Sequence, residues 1–288
     1  MRPPILAKRM KPAVLMLAAA ALFLFSGCAS REVPQPAPKP AAAPTPSPVQ
    51  PASPPGSQDS VAGTQRIHVV QEPLVESKTP RTVIHEVAPM ETVWRLSKMY
   101  GVSMESIYRA NGLKPGAPIS IGQKLTIPNA TQFQNIIPLY PSTCWRWIVI
   151  HHTATDIGKA ALIHYNHQDR GFWNGLGYHF LIDNGSLGKG DGQIEVSPRW
   201  IKQQKGAHCK VGGMNEMGIG VALVGNFDEG LPTTKQMQSL ARLIRELTHY
   251  YRIPARNIVG HGDVPGARTD CPGKRFPWAE LQRLLAAR

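Results

Sequence analysis

The stretch that decides the fold is residues 145–152, which read WRWIVIHH. Residues 147–150 are apolar without a break before two histidines, and such a run is typical of a strand entering a buried sheet. Successive side chains of a strand point to opposite faces, so only one of His151 and His152 can face a given site. The stretch therefore predicts a buried strand that presents a single imidazole at its end.

Outward from this strand, short apolar runs alternate with helical patterns. Asp183-Asn184-Gly185 predicts a hairpin turn, and Thr233 with Gln236 can form a capping box at the start of the longest helix. Strands mixed with helices predict one α/β domain with a central mixed β-sheet flanked by helices. The predicted strands cover 178–182, 218–224 and 257–260, and the predicted helices cover 160–168, 233–252 and 276–287.

Metal-ligating side chains lie where predicted strands end. His151 closes the first strand, His261 follows the last one, and Cys271 comes later in the sequence Thr-Asp-Cys-Pro-Gly. Two imidazoles and a thiolate are suitable zinc ligands, and three protein ligands leave a fourth position for water. Such a site makes hydroxide available near neutral pH and polarises a carbonyl, and the hydrolysis of an amide needs both. Asp270 is a competing ligand.

A set of short motifs in this region carries a family resemblance. They are residues 148–155 (IVIHHTAT), 177–180 (GYHF), 206–208 (GAH), Asn215 with 218–221 (GIGV), 225–227 (GNF), 260–264 (GHGDV) and 269–273 (TDCPG). Residues 145–288 thereby resemble the zinc amidases shared by phage lysozyme-type amidases and peptidoglycan recognition proteins. The resemblance implies that His151, His261 and Cys271 bind Zn²⁺, since the family's ligand directly precedes Pro-Gly. His152 is then a packing residue or lies behind the ligands.

The same resemblance implies roles around the metal. Tyr178 matches the catalytic tyrosine that contacts the attacking water or the developing oxyanion, to which its hydroxyl can donate. Thr269 stands where the phage-type enzymes carry a catalytic lysine and is taken as the second catalytic residue. Arg268 stays protonated and can clamp an anion. His208 and Asn215 match positions that line the substrate groove, with turn-stabilising polar residues as the alternative.

A smaller domain is predicted before the amidase region. Residues 82–87 and 123–128 predict strands, and two short helices lie between them, the first ended by Gly101 and the second capped by Ser103. Trp94 falls on the apolar face of the first helix and is expected in the core, with stacking on a sugar as the alternative. The predicted order is therefore βααβ.

This segment contains the motifs 91–94 (ETVW), 100–103 (YGVS), 110–113 (ANGL) and 121–128 (IGQKLTIP). It resembles a LysM domain, a family that binds glycans containing N-acetylglucosamine. By that resemblance the glycan groove lies between residues 90–92 and residues 116–121.

The N-terminal region has the pattern of an exported and anchored protein. A basic start, an apolar run over 13–25 and Ser26-Gly27-Cys28 predict a secretory signal. The ending resembles a lipoprotein signal, which implies lipid attachment at Cys28 and anchoring to a membrane; an ordinary signal with a chance cysteine is the alternative. Ala29 and Ser30 follow without an Asp, which in lipoprotein sorting resembles export to the periplasmic face of an outer membrane.

Proline at every second or third position of residues 33–56 prevents helix and sheet and favours an extended tether. The chain is therefore predicted to comprise five parts. They are a lipoprotein signal peptide (1–27), a Pro-rich tether (28–80), a LysM domain (81–129), a linker (130–144) and a zinc amidase domain (145–288).

Charge and cysteines restrict the partners. The formal charge is +13, which in an exported protein favours a polyanionic cell wall over nucleic acid. Peptidoglycan and, through the lipid anchor, a membrane are the expected partners of a monomer. Cys144 and Cys209 can either pair as a disulfide or stay as separate buried thiols.

The function predicted from these patterns is N-acetylmuramoyl-L-alanine amidase activity, in which a zinc-activated water cuts the amide between N-acetylmuramic acid and L-alanine while LysM holds the wall. Two alternatives stay open. One is a peptidoglycan receptor without catalysis, and the other is an amidase acting on small anhydro-muropeptides.

Overall fold

The computed structural model describes residues 67–172 and 174–287. The predicted signal peptide, the lipidation residue Cys28 and the tether as far as residue 66 lie outside these residues. All described residues belong to one compact unit. Among them, no helix has both the length and the apolar character that a membrane crossing requires.

The smaller domain has the predicted βααβ order. It consists of strand β1 (His68–Glu86), helix α1 (Val93–Tyr100), helix α2 (Met104–Ala110) and strand β2 (Lys124–Leu139). Thr92 caps α1 through its hydroxyl, and Gly101, at φ 67°, ends it in the left-handed conformation that glycine adopts without strain. Ser103 caps α2 in the same way. The two strands pair antiparallel from His68 opposite Leu139 to Glu86 opposite Lys124.

Two predicted boundaries are wrong. Residues 68–80, predicted as tether, are the first part of β1, and residues 130–139, predicted as linker, are the second part of β2. Neither segment shows clean alternation, and the register shifts beside Pro73. Their stability comes from pairing with each other across the ribbon, which the pattern of one segment alone does not show.

Trp94 is a second correction. Its side chain is 46% exposed, whereas α1 buries Val93 and Leu96 on its apolar face. Arg95, not Trp94, takes the adjoining inward position, where its Nη2 donates to the carbonyl of Ile136 at 2.7 Å. The apolar stripe is therefore narrower than the sequence indicated.

The larger domain is built on one mixed sheet, as predicted. Its elements are β3 (Trp147–His152), α3 (Ala160–Asp169), β4 (Phe180–Asn184), β5 (Asp191–Val196), α4 (Pro198–Ile201), α5 (Met214–Met217), β6 (Gly218–Leu223), α6 (Thr234–Tyr251), β7 (Ile258–Gly260) and α7 (Trp278–Ala286). The strand order is β5-β4-β6-β3-β7, with β4 and β5 antiparallel and the other neighbours parallel.

Both faces of the sheet are covered. Ile148 and Ile150 of β3 join the main core, to which α6 contributes Leu240 and Ile244, while Val149 points to a separate cluster on the opposite face. This alternation is what a strand buried on both sides requires. The predicted capping box of Thr233 and Gln236 at the start of α6 is confirmed.

Other local predictions have mixed outcomes. The predicted turn at Asp183-Asn184-Gly185 does connect antiparallel strands, but β4 runs on through Asn184 and the connection extends to residue 190. Cys144 is exposed and Cys209 is buried, and both are free thiols. Of the two alternatives for these cysteines, the disulfide is therefore not formed, and only Cys209 is a buried thiol.

Polar contacts join the two domains. Asn135 of β2 lies against the outer edge of β5, where its Oδ1 accepts from the amide of Ile194 at 2.7 Å and its Nδ2 donates to the carbonyl of Gly192 at 3.3 Å. Glu86 at the end of β1 pairs with Lys159 at 2.6 Å, and its carbonyl accepts from Lys189 at 3.0 Å. These contacts hold the small domain in a defined position on the larger one.

Candidate metal centre

The site begins with His151 on β3. This strand lies between β6 and β7, and all three run parallel, so their carboxyl ends meet at one edge of the sheet. The His151 side chain is buried there at 1% exposure. His152, on the opposite face, accepts a hydrogen bond from the amide of Phe227 at 3.1 Å and is a packing residue.

Two further donor groups reach the same place from the loops. His261 directly follows β7 and begins a 3₁₀ turn over His261–Asp263. Cys271 is held beside this turn, because its carbonyl accepts from the amide of Gly262 at 2.7 Å. The ligand atoms of His151, His261 and Cys271 all lie within 4.8 Å of one another. Asp270, the competing ligand, is exposed and pairs with Lys274 at 3.3 Å instead.

The hydrogen bonds of His151 leave one nitrogen for a metal. A backbone carbonyl can only accept, so His208 Nε2, which lies 3.2 Å from the oxygen of Gly218, carries a proton. His208 Nδ1 is then an acceptor, and it accepts a hydrogen bond from the N–H of His151 Nε2 at 3.0 Å. His151 Nδ1 therefore keeps its lone pair, and it points toward Cys271 Sγ at 3.6 Å. Fixing the ligand tautomer in this way is the usual task of groups behind a metal site.

Two glycines make room for the ring of His208. A β-carbon at Gly206 would lie 2.3 Å from the Cδ2 of His208, and one at Gly220 would lie 2.5 Å from the same atom. Asn215 completes the arrangement, because its Oδ1 accepts from the amides of His208 and Cys209 at 2.8 and 2.9 Å. Asn215 thus has the turn-stabilising role that the sequence left as an alternative.

The protonation states of the donor groups are compatible with a bound cation. Burial, with His208 and His261 close by, holds the pKa of His151 well below its usual range, and burial lowers the pKa of His261. Burial raises the pKa of the Cys271 thiol to about 12. The imidazoles are thus neutral, as ligands must be, while the thiol needs a positive charge beside it to ionise. The donor set fits Zn²⁺, with three protein ligands.

Tyr178 lies beside the donor groups. It lies two residues before β4, and its ring centroid is 5.1 Å from that of His151. Burial, with the charge of Cys271 as a second cause, raises the pKa of Tyr178 above its usual range. Its hydroxyl therefore stays protonated and is available as a hydrogen-bond donor.

The remaining predicted residues lie around the opening. Thr269 is exposed, and its Oγ1 accepts from the amide of Cys271 at 3.2 Å, so it positions the loop that carries that ligand. An open cavity of about 440 Å³ adjoins the centre, and Arg268, Asn215 and His208 line it together with His261. Sequence reasoning missed Phe172 and Lys210, which also line this cavity, and the contact of His208 with His151. The glycines around His208 were the available signal for that contact.

Similarity to known proteins agrees with this geometry. Residues 141–274 match the family described as N-acetylmuramoyl-L-alanine amidase, and residues 85–128 match the LysM domain. The chain is 32% identical over 150 residues to a peptidoglycan-recognition protein of Drosophila simulans, covering 46% of this chain and 70% of that protein. It is 29% identical over 139 residues to an N-acetylmuramoyl-L-alanine amidase of Homo sapiens, covering 44% of this chain but only 22% of that protein.

A solved structure shows a similar match. The endolysin N-acetylmuramoyl-L-alanine amidase LysCS of Clostridium intestinale URNW is 35% identical and covers 50% of this chain and 86% of its own, with a TM-score of 0.43. By its sequence matches, this chain belongs to the family of N-acetylmuramoyl-L-alanine amidases and peptidoglycan-recognition proteins, and it carries a LysM domain.

Proposed function

We propose that the chain is a zinc-dependent amidase that hydrolyses the bond between N-acetylmuramic acid and L-alanine in peptidoglycan. The observation that carries this proposal is the convergence of His151, His261 and Cys271 beside Tyr178 at the edge of an open cavity. A purely structural metal site is enclosed by four protein ligands. Three ligands beside a cavity and a protonated hydroxyl are the arrangement of a hydrolytic site.

Each group of the site has a distinct task in this proposal. When bound by His151, His261 and Cys271, Zn²⁺ would polarise the scissile carbonyl and lower the pKa of water. His208 fixes the tautomer of His151. Tyr178 donates its hydroxyl proton, as a hydrogen bond, to the oxygen on which negative charge develops, so its contribution is largest in the transition state.

The exposed residues at the opening bind substrate. The guanidinium group of Arg268 can hold a carboxylate of a stem peptide. Thr269 positions Cys271 through the backbone and leaves its hydroxyl proton free to donate to a polar group of the substrate. LysM supplies affinity for the glycan.

Digestion of isolated sacculi tests the proposal. The full chain, loaded with Zn²⁺, is expected to release stem peptides with a free L-alanine amino terminus, identified by mass spectrometry. A chelator should stop the release, and added Zn²⁺ should restore it. Retention on sacculi without any release would instead support the peptidoglycan receptor.

The same assay separates polymer from small substrate. A soluble anhydro-muropeptide is offered beside intact sacculi at equal stem-peptide concentration. The LysM domain favours the polymer, so faster release from sacculi is expected. Release confined to the anhydro-muropeptide would support the third function.

We also propose that the chain is a lipoprotein, anchored through Cys28 to the periplasmic face of an outer membrane. The signal-like residues 1–27 and the Ala29-Ser30 pair support this. A Cys28→Ser chain expressed in a Gram-negative host should lose label from a fatty-acid analogue and leave the membrane fraction. Label that persists in Cys28→Ser would contradict the assignment.

A further inference from the structure

The groove on the small domain is completed by the large one. A cavity of about 710 Å³ lies between the start of α1 and the loop before β2, and among its lining residues a single side chain, Tyr165 of α3, comes from the amidase domain. We name this cavity, with Tyr165 included, the composite groove. Its main apolar and aromatic lining residues are Met90, Trp94, Met104, Tyr108, Ile121 and Tyr165.

The composite groove concentrates exposed apolar side chains. Trp94 is 46% exposed and Tyr165 is 48% exposed. Met90 and Met104, at 43% and 42%, lie around the same groove. An exposed apolar patch of this kind marks a binding site. Flat aromatic faces suit the apolar faces of sugar rings, so the patch fits a saccharide.

The composite groove continues toward the metal centre. Met90 and Ile121 also line a second cavity of about 240 Å³, and Asn174 of that cavity lines a third of about 330 Å³. Phe172 and Asn215 then line both the third cavity and the one of about 440 Å³ that contains His261. Shared lining residues therefore place the four cavities in a row from the composite groove to His261, and we call this row of cavities the track.

The charge of this track is one-sided. Among the described residues that line its second, third and fourth cavities there is no carboxylate, whereas five cationic side chains are present. They are Lys202, Arg199, Lys205, Lys210 and Arg268. Stem peptides carry carboxylates, so a glycan strand with its peptides matches both the apolar start and the basic remainder of the track.

Contacts between the two domains fix the composite groove relative to the metal centre. Glu86 binds Lys159, the residue before α3, and Lys189, and Asn135 binds the edge of β5. Lys159 precedes the first turn of the helix that carries Tyr165, so the contact fixes that helix against β1. The small domain is thus held beside the large one, so that its groove forms one end of the track.

We propose that one glycan strand lies along the whole track, stacked on Trp94 and Tyr165 in the composite groove while one of its stem peptides reaches His261. This inference rests on the proposed amidase function and adds its substrate class. The preferred substrate is a polymeric strand long enough to span both domains, and Tyr165 is a specificity-determining residue of the amidase domain.

The test compares two substrates in the full chain. Tyr165→Ala should lower the rate of peptide release from long solubilised strands about fivefold, the effect of one lost aromatic stacking contact. It should leave release from a single disaccharide-peptide unchanged, because that substrate reaches only the metal centre. Trp94→Ala should give the same pattern. Leu162→Ala, on the same helix, 39% exposed and outside the groove, is the control and should change neither rate.

Equal losses on both substrates, or an unchanged rate on long strands, would overturn the inference. Failure of the amidase proposal looks different, since the parent chain would then release nothing from either substrate. In that case cosedimentation with sacculi decides. Retention of Tyr165→Ala should weaken about fivefold relative to the parent, and undiminished retention would reject the shared track.

Discussion

At His151 the orientation of the ring depends on groups that do not touch the metal position. His208 Nδ1 accepts a hydrogen bond from His151 Nε2, and His208 Nε2 donates one to the carbonyl of Gly218, so both rings are held in place. The lone pair of Nδ1 is thereby aimed at the space shared with Cys271. Loss of such a supporting group leaves the ligand present but free to rotate or to change tautomer.

His208→Ala is therefore expected to weaken Zn²⁺ binding by about 10–100-fold. Competition against a chromophoric chelator measures this directly. Gly220→Ala should act in the same direction, because its new methyl group would displace the ring of His208. His249→Ala, which removes an exposed imidazole from α6, serves as the control and should bind Zn²⁺ like the parent. If His208→Ala bound Zn²⁺ as tightly as the parent, His208 would have no role in supporting the metal centre.

Tyr178 allows a separation of binding from catalysis. Tyr178→Phe keeps the ring against His151 and removes only the hydroxyl, so zinc content should be unchanged. The rate of amide hydrolysis should fall by about 10²–10³, the usual effect of losing one donor to a developing oxyanion. Metal analysis and single-turnover kinetics on the same sample check both statements. A variant as fast as the parent would reject this role.

Among the elements, α6 is stabilised at its start by the capping residue Thr233. Thr233 accepts from the amide of Gln236 at 3.0 Å, and its hydroxyl donates to Asp191 Oδ1 at 2.5 Å. Thr233→Ala removes both bonds and should cost about 1–2 kcal/mol of unfolding free energy. Urea denaturation provides the measurement. Thr233→Ser retains the hydroxyl and should lose far less, and equal losses in the two variants would contradict the cap.

The elements also show which features a sequence can predict. The α6 cap and the end of α1 at Gly101 depend on neighbouring residues, and both were predictable. β5 was not, because its polar residues are buried through contacts with residues outside the strand. Glu195, at 1% exposure, pairs with Lys189 and accepts from the amide of Ala160.

In the candidate site, too, features set by neighbouring residues were predictable and features set by contacts between separate segments were not. The three residues that could hold a metal, and Tyr178 beside them, were predictable from local motifs that resemble a family. The hydrogen bond from His151 to His208, and the place of Tyr165 in a groove of the other domain, depend on how separate segments meet.

For the whole molecule, the junction between the domains contains a titratable acid. Glu72 of β1 is 6% exposed and lies 3.5 Å from Arg242 of α6. Burial raises the pKa of Glu72 to about 7, although Arg242 opposes the shift. The folded state thus binds this proton more tightly than the unfolded state. Stability from this group is full below about pH 4.5 and is lost as the pH rises to about 7.

Glu72→Gln should remove that loss. The variant is expected to exceed the parent in unfolding free energy at pH 8 by on the order of 2 kcal/mol, and the difference should shrink toward pH 4. Denaturation of both chains at a series of pH values gives the comparison. A constant difference across the series would show that Glu72 does not titrate in this range.

Asn135 has a consequence for solubility. A bare outermost strand offers unpaired amides and carbonyls on which another chain can build, and such strands seed aggregates. Here the carboxamide of Asn135 occupies that border of β5, while the opposite border is β7, which is only three residues long. The small domain therefore covers the exposed edge of the sheet. A chain that lacks this domain would be expected to self-associate through β5.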